Sequence, residues 1–133
     1  MRFLLVVVVI ISSSFLIKPM QVMFVNDILK IESILLPHNL ITRIAISTEE
    51  KFDNSNINRK DTVHIKTAIP IELGAELLNF KQIDIRTKII VTKNDGSIEK
   101  LFLNKNGVIL FKNKFYKVSE STVKYLRGEI DIK

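Results

Sequence analysis

The sequence predicts an α+β domain: an antiparallel β-sheet meander with a short helix between strands and a C-terminal helix, preceded by an N-terminal apolar signal or anchor helix. Three features carry that expectation. Asp95-Gly96 and Asn106-Gly107 separate short alternating apolar runs, and such dipeptides supply the positive φ values that tight hairpin turns demand. Ser119 precedes a helical pattern that stops at Gly128, as a capping serine and a terminating glycine do. Residues 3–17 are apolar except for Ser12, Ser13 and Ser14, with Arg2 before them and Lys18-Pro19 after.

The leader predicts an extracytoplasmic address, either secreted or anchored to the membrane. Ser12 and Ser14 are small residues suited to a cut after Ser14. As an uncleaved helix, residues 3–17 would span about 22 Å at ~1.5 Å per residue, short of a hydrocarbon core of roughly 30 Å. Lys18 can snorkel, and apolar residues beyond Pro19 extend the contact. Cleavage and retention both stay open. A buried strand is the rival reading, since residues 6–11 are strong strand formers.

Pro19 and Pro37 bracket residues 20–36 and predict a helix there. Its apolar stripe is wide, so it reads as a helix on the domain or as a membrane-surface continuation of the anchor. The chain thus divides into a leader over 1–18, an amphipathic helical linker over 19–37 and one α+β domain over 38–133. Residues 40–47 predict a strand through Ile44 and Ile46, and residues 48–61, with charges and three Asn, an exposed loop. Residues 62–69 alternate as a strand. Pro70 then opens a short helical pattern with Ile71, Leu73, Leu77, Leu78 and Phe80 available to a sheet. Ile83, Ile85, Ile89 and Val91 mark one long strand or two broken ones. Residues 97–103, 108–111 and 115–118 form the rest of the meander, with a third turn at Asn113, and Val123 and Leu126 face inward from the last helix.

Composition bounds the chemistry. Setting the leader aside leaves roughly 95 to 115 residues, enough for one core. The chain has no cysteine, which removes disulfides, thiolate metal sites, a thiol nucleophile and a lipid-bearing N-terminal Cys.

The rhythm of residues 41–46, 63–65 and 71–80, followed by Ile89-Ile90-Val91-Thr92, Asp95-Gly96, residues 98–103, Asn106-Gly107 and Phe115-Tyr116-Lys117-Val118 before a final helix, resembles small exported or membrane-anchored α+β domains of unknown function from Gram-positive bacteria. The resemblance spans residues 41–130 and implies address and fold. It transfers no functional residues, and this chain lacks the lipid-bearing Cys that many of those domains carry.

No catalytic constellation emerges. His38 and His64 are the only histidines, one per element, where a metal site needs them to meet beside a carboxylate. Residues 53–61 lack the Gly and the closing Glu of a calcium loop. Glu49-Glu50 and the Glu72/Glu76 pair are acidic neighbours that an exposed helix face explains. No serine lies in a nucleophile motif, and no Gly-rich phosphate loop is present. The expectation is therefore not an enzyme, with no cofactor and no metal.

Charge is the one global signal. Residues 81–127 hold eleven Lys and Arg against four Asp and Glu. Lys112, Lys114, Phe115, Tyr116 and Lys117 interleave basic and aromatic side chains, a candidate surface for anionic headgroups or wall polymers. The same pattern can stack nucleobases, but nucleic acid conflicts with the leader and is the disfavoured partner. The functional expectation is an exported or membrane-tethered domain that binds an unknown envelope protein or anionic polymer without catalysis. Its alternatives are a structural accessory subunit of a membrane complex docking through residues 20–36, and a basic nucleic-acid-binding domain.

Overall fold

The computed structural model describes residues 23–37, 45–55 and 60–130. The leader, His38, most of the strand expected over 40–47 and residues 56–59 lie outside them. Among the described residues the fold is α+β, mostly antiparallel sheet with two short helices. Strands β1 (Met23–Val25) and β2 (Ile28–Leu35) come first, then helix α1 (Glu49–Asp53), β3 (Asp61–Ile65) and β4 (Ile71–Leu73). The meander follows as β5 (Thr87–Lys93), β6 (Ile98–Leu103), β7 (Val108–Phe111) and β8 (Lys114–Lys117), closed by α2 (Glu120–Leu126). No helix among the described residues is long and apolar enough to cross a membrane.

Six strands form one sheet in the order β3-β2-β5-β6-β7-β8, and β1 pairs with β4 apart from it. Past β8 the ladder continues through residues 74–77. The Gly74 amide donates to the Lys117 carbonyl at 2.7 Å, the Lys117 amide to Ala75 at 2.9 Å, and the Leu77 amide to Phe115 at 2.8 Å. That edge of the sheet is therefore capped rather than left open.

Alternation along the strands sends side chains to two cores. The inner face buries Ile31, Ile89, Val91, Leu101, Leu103, Ile109 and Tyr116 against Val25, Ile71 and Leu73 of the β1–β4 pair and Val123, Tyr125 and Leu126 of α2. The outer face buries Leu36, Ile46, Phe52, Ile83, Ile85 and Val108, with Phe102, Leu110 and Phe115 half-buried around them.

Three expected elements are corrected. Residues 23–35 form strands, not a helix, and β2 pairs with both β3 and β5, so these residues belong to the sheet and not to a linker. Ile28, Ile31 and Ile34 recur at a helix-like interval, although Lys30, Glu32 and Ser33 interrupt the apolar run and only Ile31 and Ser33 of the strand are buried. Residues 71–80 are not a helix either. Ile71 and Leu73 are buried around an exposed Glu72, a period of two that pairs with β1. The short helix between strands is instead α1, inside the expected loop 48–61. Thr48 caps it by accepting the Lys51 amide at 3.1 Å, and Phe52 anchors it.

The meander, its turns and the capped terminal helix match expectation. Gly96 has φ +88° and Gly107 φ +81°, and Ser119 caps α2 by accepting the Thr122 amide at 3.1 Å. Gly74 is required for a different reason. A Cβ there would stand 2.4 Å from the Lys117 carbonyl oxygen, a backbone atom that cannot swing aside. Gly74→Ala is expected to cost roughly 1–2 kcal/mol by forcing the capping seam off β8. Urea unfolding would measure it, and amide exchange at Leu77 and Lys117 should quicken locally.

Candidate functional site

Lys112 and Asn113 make the β7–β8 turn, with φ +49° and +64°. Lys112 is exposed, lies 5.2 Å over the Phe111 ring and reaches Glu99 at 3.4 Å. Lys114 is exposed and reaches Glu76 at 3.9 Å. Tyr116 is buried in the inner core, opposite Ile109, and Phe115 packs 5.4 Å from the Phe80 ring toward the outer core. Both rings are spent on packing, so the strand offers no open ring face on which a nucleobase could stack.

The charge picture changes as well. Fifteen basic and thirteen acidic side chains lie among the described residues, a net of +2, so the excess of the whole chain sits mainly outside them. Lys112 and Lys114 each have a carboxylate nearby from another segment. The positive field is thus local rather than spread over the sheet.

Lys117 keeps the candidate role. Its ammonium donates to the Asn106 carbonyl at 2.7 Å, and it has no carboxylate partner among the described residues. Lys105, on the other side of the same turn, has none either. Both border a groove of about 440 Å³ with Asn106, Ser119, Glu120 and Val123. Lys117 also borders a second groove of about 380 Å³, with Glu72, Gly74 and Thr122 on its other side. The Asn104 side-chain oxygen fixes the turn by accepting the Asn106 and Val108 amides, each at 2.9 Å. Lys105 was not among the sequence candidates. Its only sequence signal was its place directly before the Asn106-Gly107 turn; the Val108–Lys117 register that brings Lys117 alongside that turn is visible only in the fold.

Other polar groups serve the fold. Lys88 on β5 is buried and binds Glu49 at 2.8 Å and Asp53 at 2.9 Å, and Lys100 binds Glu49 at 2.7 Å. Hydrogen bonds from Lys100 and then Lys88 hold the Glu49 carboxyl below its usual 4.5. Burial alone would lower the Lys88 pKa, but the bonds to Glu49 and Asp53 outweigh it and keep it above 10.5. Arg127 donates to the Thr87 hydroxyl at 2.7 Å and the Leu36 carbonyl at 3.0 Å, tying the end of α2 to the sheet. His64 is exposed, with Glu32 at 3.5 Å across the ladder. Glu72 and Glu76, expected on one helix face, lie instead on β4 and on the segment that caps β8. No group of three metal-ligating side chains occurs among the described residues.

The chain matches no family model, no curated protein and no solved structure.

Proposed function

We propose that this is a small exported or membrane-tethered domain that acts at the cell envelope by binding, without catalysis, and that its ligand is an anionic group taken between Lys105 and Lys117. The observation that carries the reading is that Lys105 and Lys117 both border the groove beside the Asn106-Gly107 turn and neither has an ion-pair partner among the described residues, while Glu120 lines the same groove. The leader and the resemblance to exported Gram-positive domains supply the address. A phosphate- or carboxylate-bearing envelope component fits such a site, because two lysines converge on one anion without needing a shaped cavity.

The accessory-subunit alternative relied on a docking helix over 20–36, and residues 23–35 are committed to the sheet. The binding reading therefore leads.

Polyphosphate titrated against the full-length protein tests it. Lys105→Gln with Lys117→Gln should weaken binding on the order of tenfold at low salt, and added salt should shrink the difference. Lys112→Gln, already beside Glu99, should change it little. Equal binding by the double variant and the parent would remove these lysines from the reading. Enzymatic turnover of a phosphoester or glycan would overturn its non-catalytic part.

A further inference from the structure

Strand β1 is the first described element, and the leader ends close before it. The five residue steps from Lys18 to Met23 span at most about 17 Å. With the leader held in a membrane, β1 stays within that reach of the surface whatever path the chain takes.

Met23 and Phe24 are 44% and 48% exposed, although both are large and apolar. Phe24 stands opposite Glu72 in the β1–β4 ladder, and directly opposed residues project from the same face. Glu72 borders the second groove beside Lys117, so Phe24 emerges on the side of that groove, which shares Lys117 and Ser119 with the Lys105–Lys117 groove. Met23 pairs with Leu73, whose neighbour Gly74 bonds Lys117. Two ladder spacings and one residue step therefore separate Met23 from Lys117, about 15 Å at most.

We propose that β1 and the Lys105–Lys117 groove form a bilayer-facing edge, on which the tethered domain lies against an anionic membrane. Phe24 enters the headgroup layer, and the two lysines meet lipid phosphates. The inference rests on the binding function proposed above and commits its anionic ligand to lipid. Apolar side chains beside lysines are the composition that partitions to an anionic interface. The tether keeps the domain at a high effective concentration near the surface, so a small edge suffices where a free domain would need a large one. Glu72 on the same face opposes the attraction and limits its strength.

The chain contains no tryptophan, so Phe24→Trp places a single tryptophan on the edge, which is excited selectively over the two tyrosines. The full chain carrying it would be reconstituted with vesicles of phosphatidylcholine alone or mixed with phosphatidylglycerol. Flotation reports the tether, and quenching by brominated lipid reports the docked edge. The expected result is flotation with both compositions and strong quenching only with phosphatidylglycerol. Lys105→Gln with Lys117→Gln should shift the docked-to-undocked ratio by on the order of twentyfold, about fivefold per lysine. Lys66→Gln, beside β3 and away from the edge, should leave quenching unchanged. Flotation without quenching in either composition would overturn the docked edge and leave the tether standing. Failure to float would overturn the tether and the edge with it. Loss of polyphosphate binding with lipid quenching intact would overturn the soluble-polymer version of the function while sustaining the edge. Emission that shifts with protein concentration in lipid-free detergent would put a second copy of the chain on β1 instead, and overturn the lipid assignment.

Discussion

Phe52→Ala is expected to lower the unfolding free energy by about 3–5 kcal/mol, the range for emptying a core aromatic site. Phe52 is fully buried, and it fills the outer core among Leu36, Ile46, Ile83, Ile85 and Val108. The helix that carries it has five residues, too few to persist on backbone hydrogen bonds alone. The Thr48 cap contributes about 1 kcal/mol, so the ring is the main reason α1 exists. For a domain of this size the midpoint temperature should fall by more than about 10 °C. Thermal and urea unfolding of the full chain would check it. A loss under about 1 kcal/mol would mean that α1 detaches without unfolding the sheet, and that the outer core closes over by itself.

The contrast between Phe52 and the meander shows what was legible in the sequence. Hairpin turns are announced by local chemistry. Asp95 accepts from the Ser97 amide at 2.9 Å and hydroxyl at 2.6 Å, Gly96 and Gly107 take positive φ, and Ser119 caps the next helix. None of these needs a distant partner. The N-terminal half depends on distant partners throughout. β2 is a strand because β3 and β5 flank it, and nothing within residues 28–35 names those neighbours. A one-turn helix such as α1 is too short to show a period, and its single apolar residue looks like an accident until the outer core is seen.

The site was legible in residue type and not in environment. Lysines at 112, 114 and 117 could be read off, but the carboxylates that temper Lys112 and Lys114 come from β6 and from the segment that caps β8. Tyr116 looked like a surface aromatic between two lysines. Its register against Ile109 turns it inward, so Tyr116→Ala would test the core rather than the ligand. Charge counted along a stretch of sequence overstated the field, because a fold mixes segments and only the excess that survives mixing reaches solvent.

Lys88 gives the second large effect, and its sign depends on which partner is removed. The side chain is 9% exposed, while Glu49 and Asp53 are 34% and 46% exposed. Removing the carboxylates leaves a buried ammonium with no charge partner. Removing the lysine leaves carboxylates that water can reach, and Glu49 keeps Lys100. Glu49→Gln with Asp53→Asn is therefore expected to cost about 3 kcal/mol, the low end for breaking a buried pair because both acids are partly solvated. Lys88→Met should cost less than about 1.5 kcal/mol, since the methionine keeps the stem's packing across from Phe102 and Ile34. The pH response separates the two further. In the parent, the depressed Glu49 pKa contributes stability that is complete above 4.5 and lost as pH falls through its folded value. The raised Lys88 pKa contributes stability that is complete below 10.5 and lost as pH rises through its folded value. The network thus adds no slope near neutrality. In the double variant, burial is left unopposed and drives the Lys88 pKa below its unfolded value, so the unfolded chain binds more protons and stability climbs as pH rises toward 10.5. Urea unfolding at acid, neutral and alkaline pH would show that reversal. Equal losses in the two variants with no alkaline slope would mean that Lys88 is hydrated in solution, and that the ion pairs only decorate a helix held by Phe52.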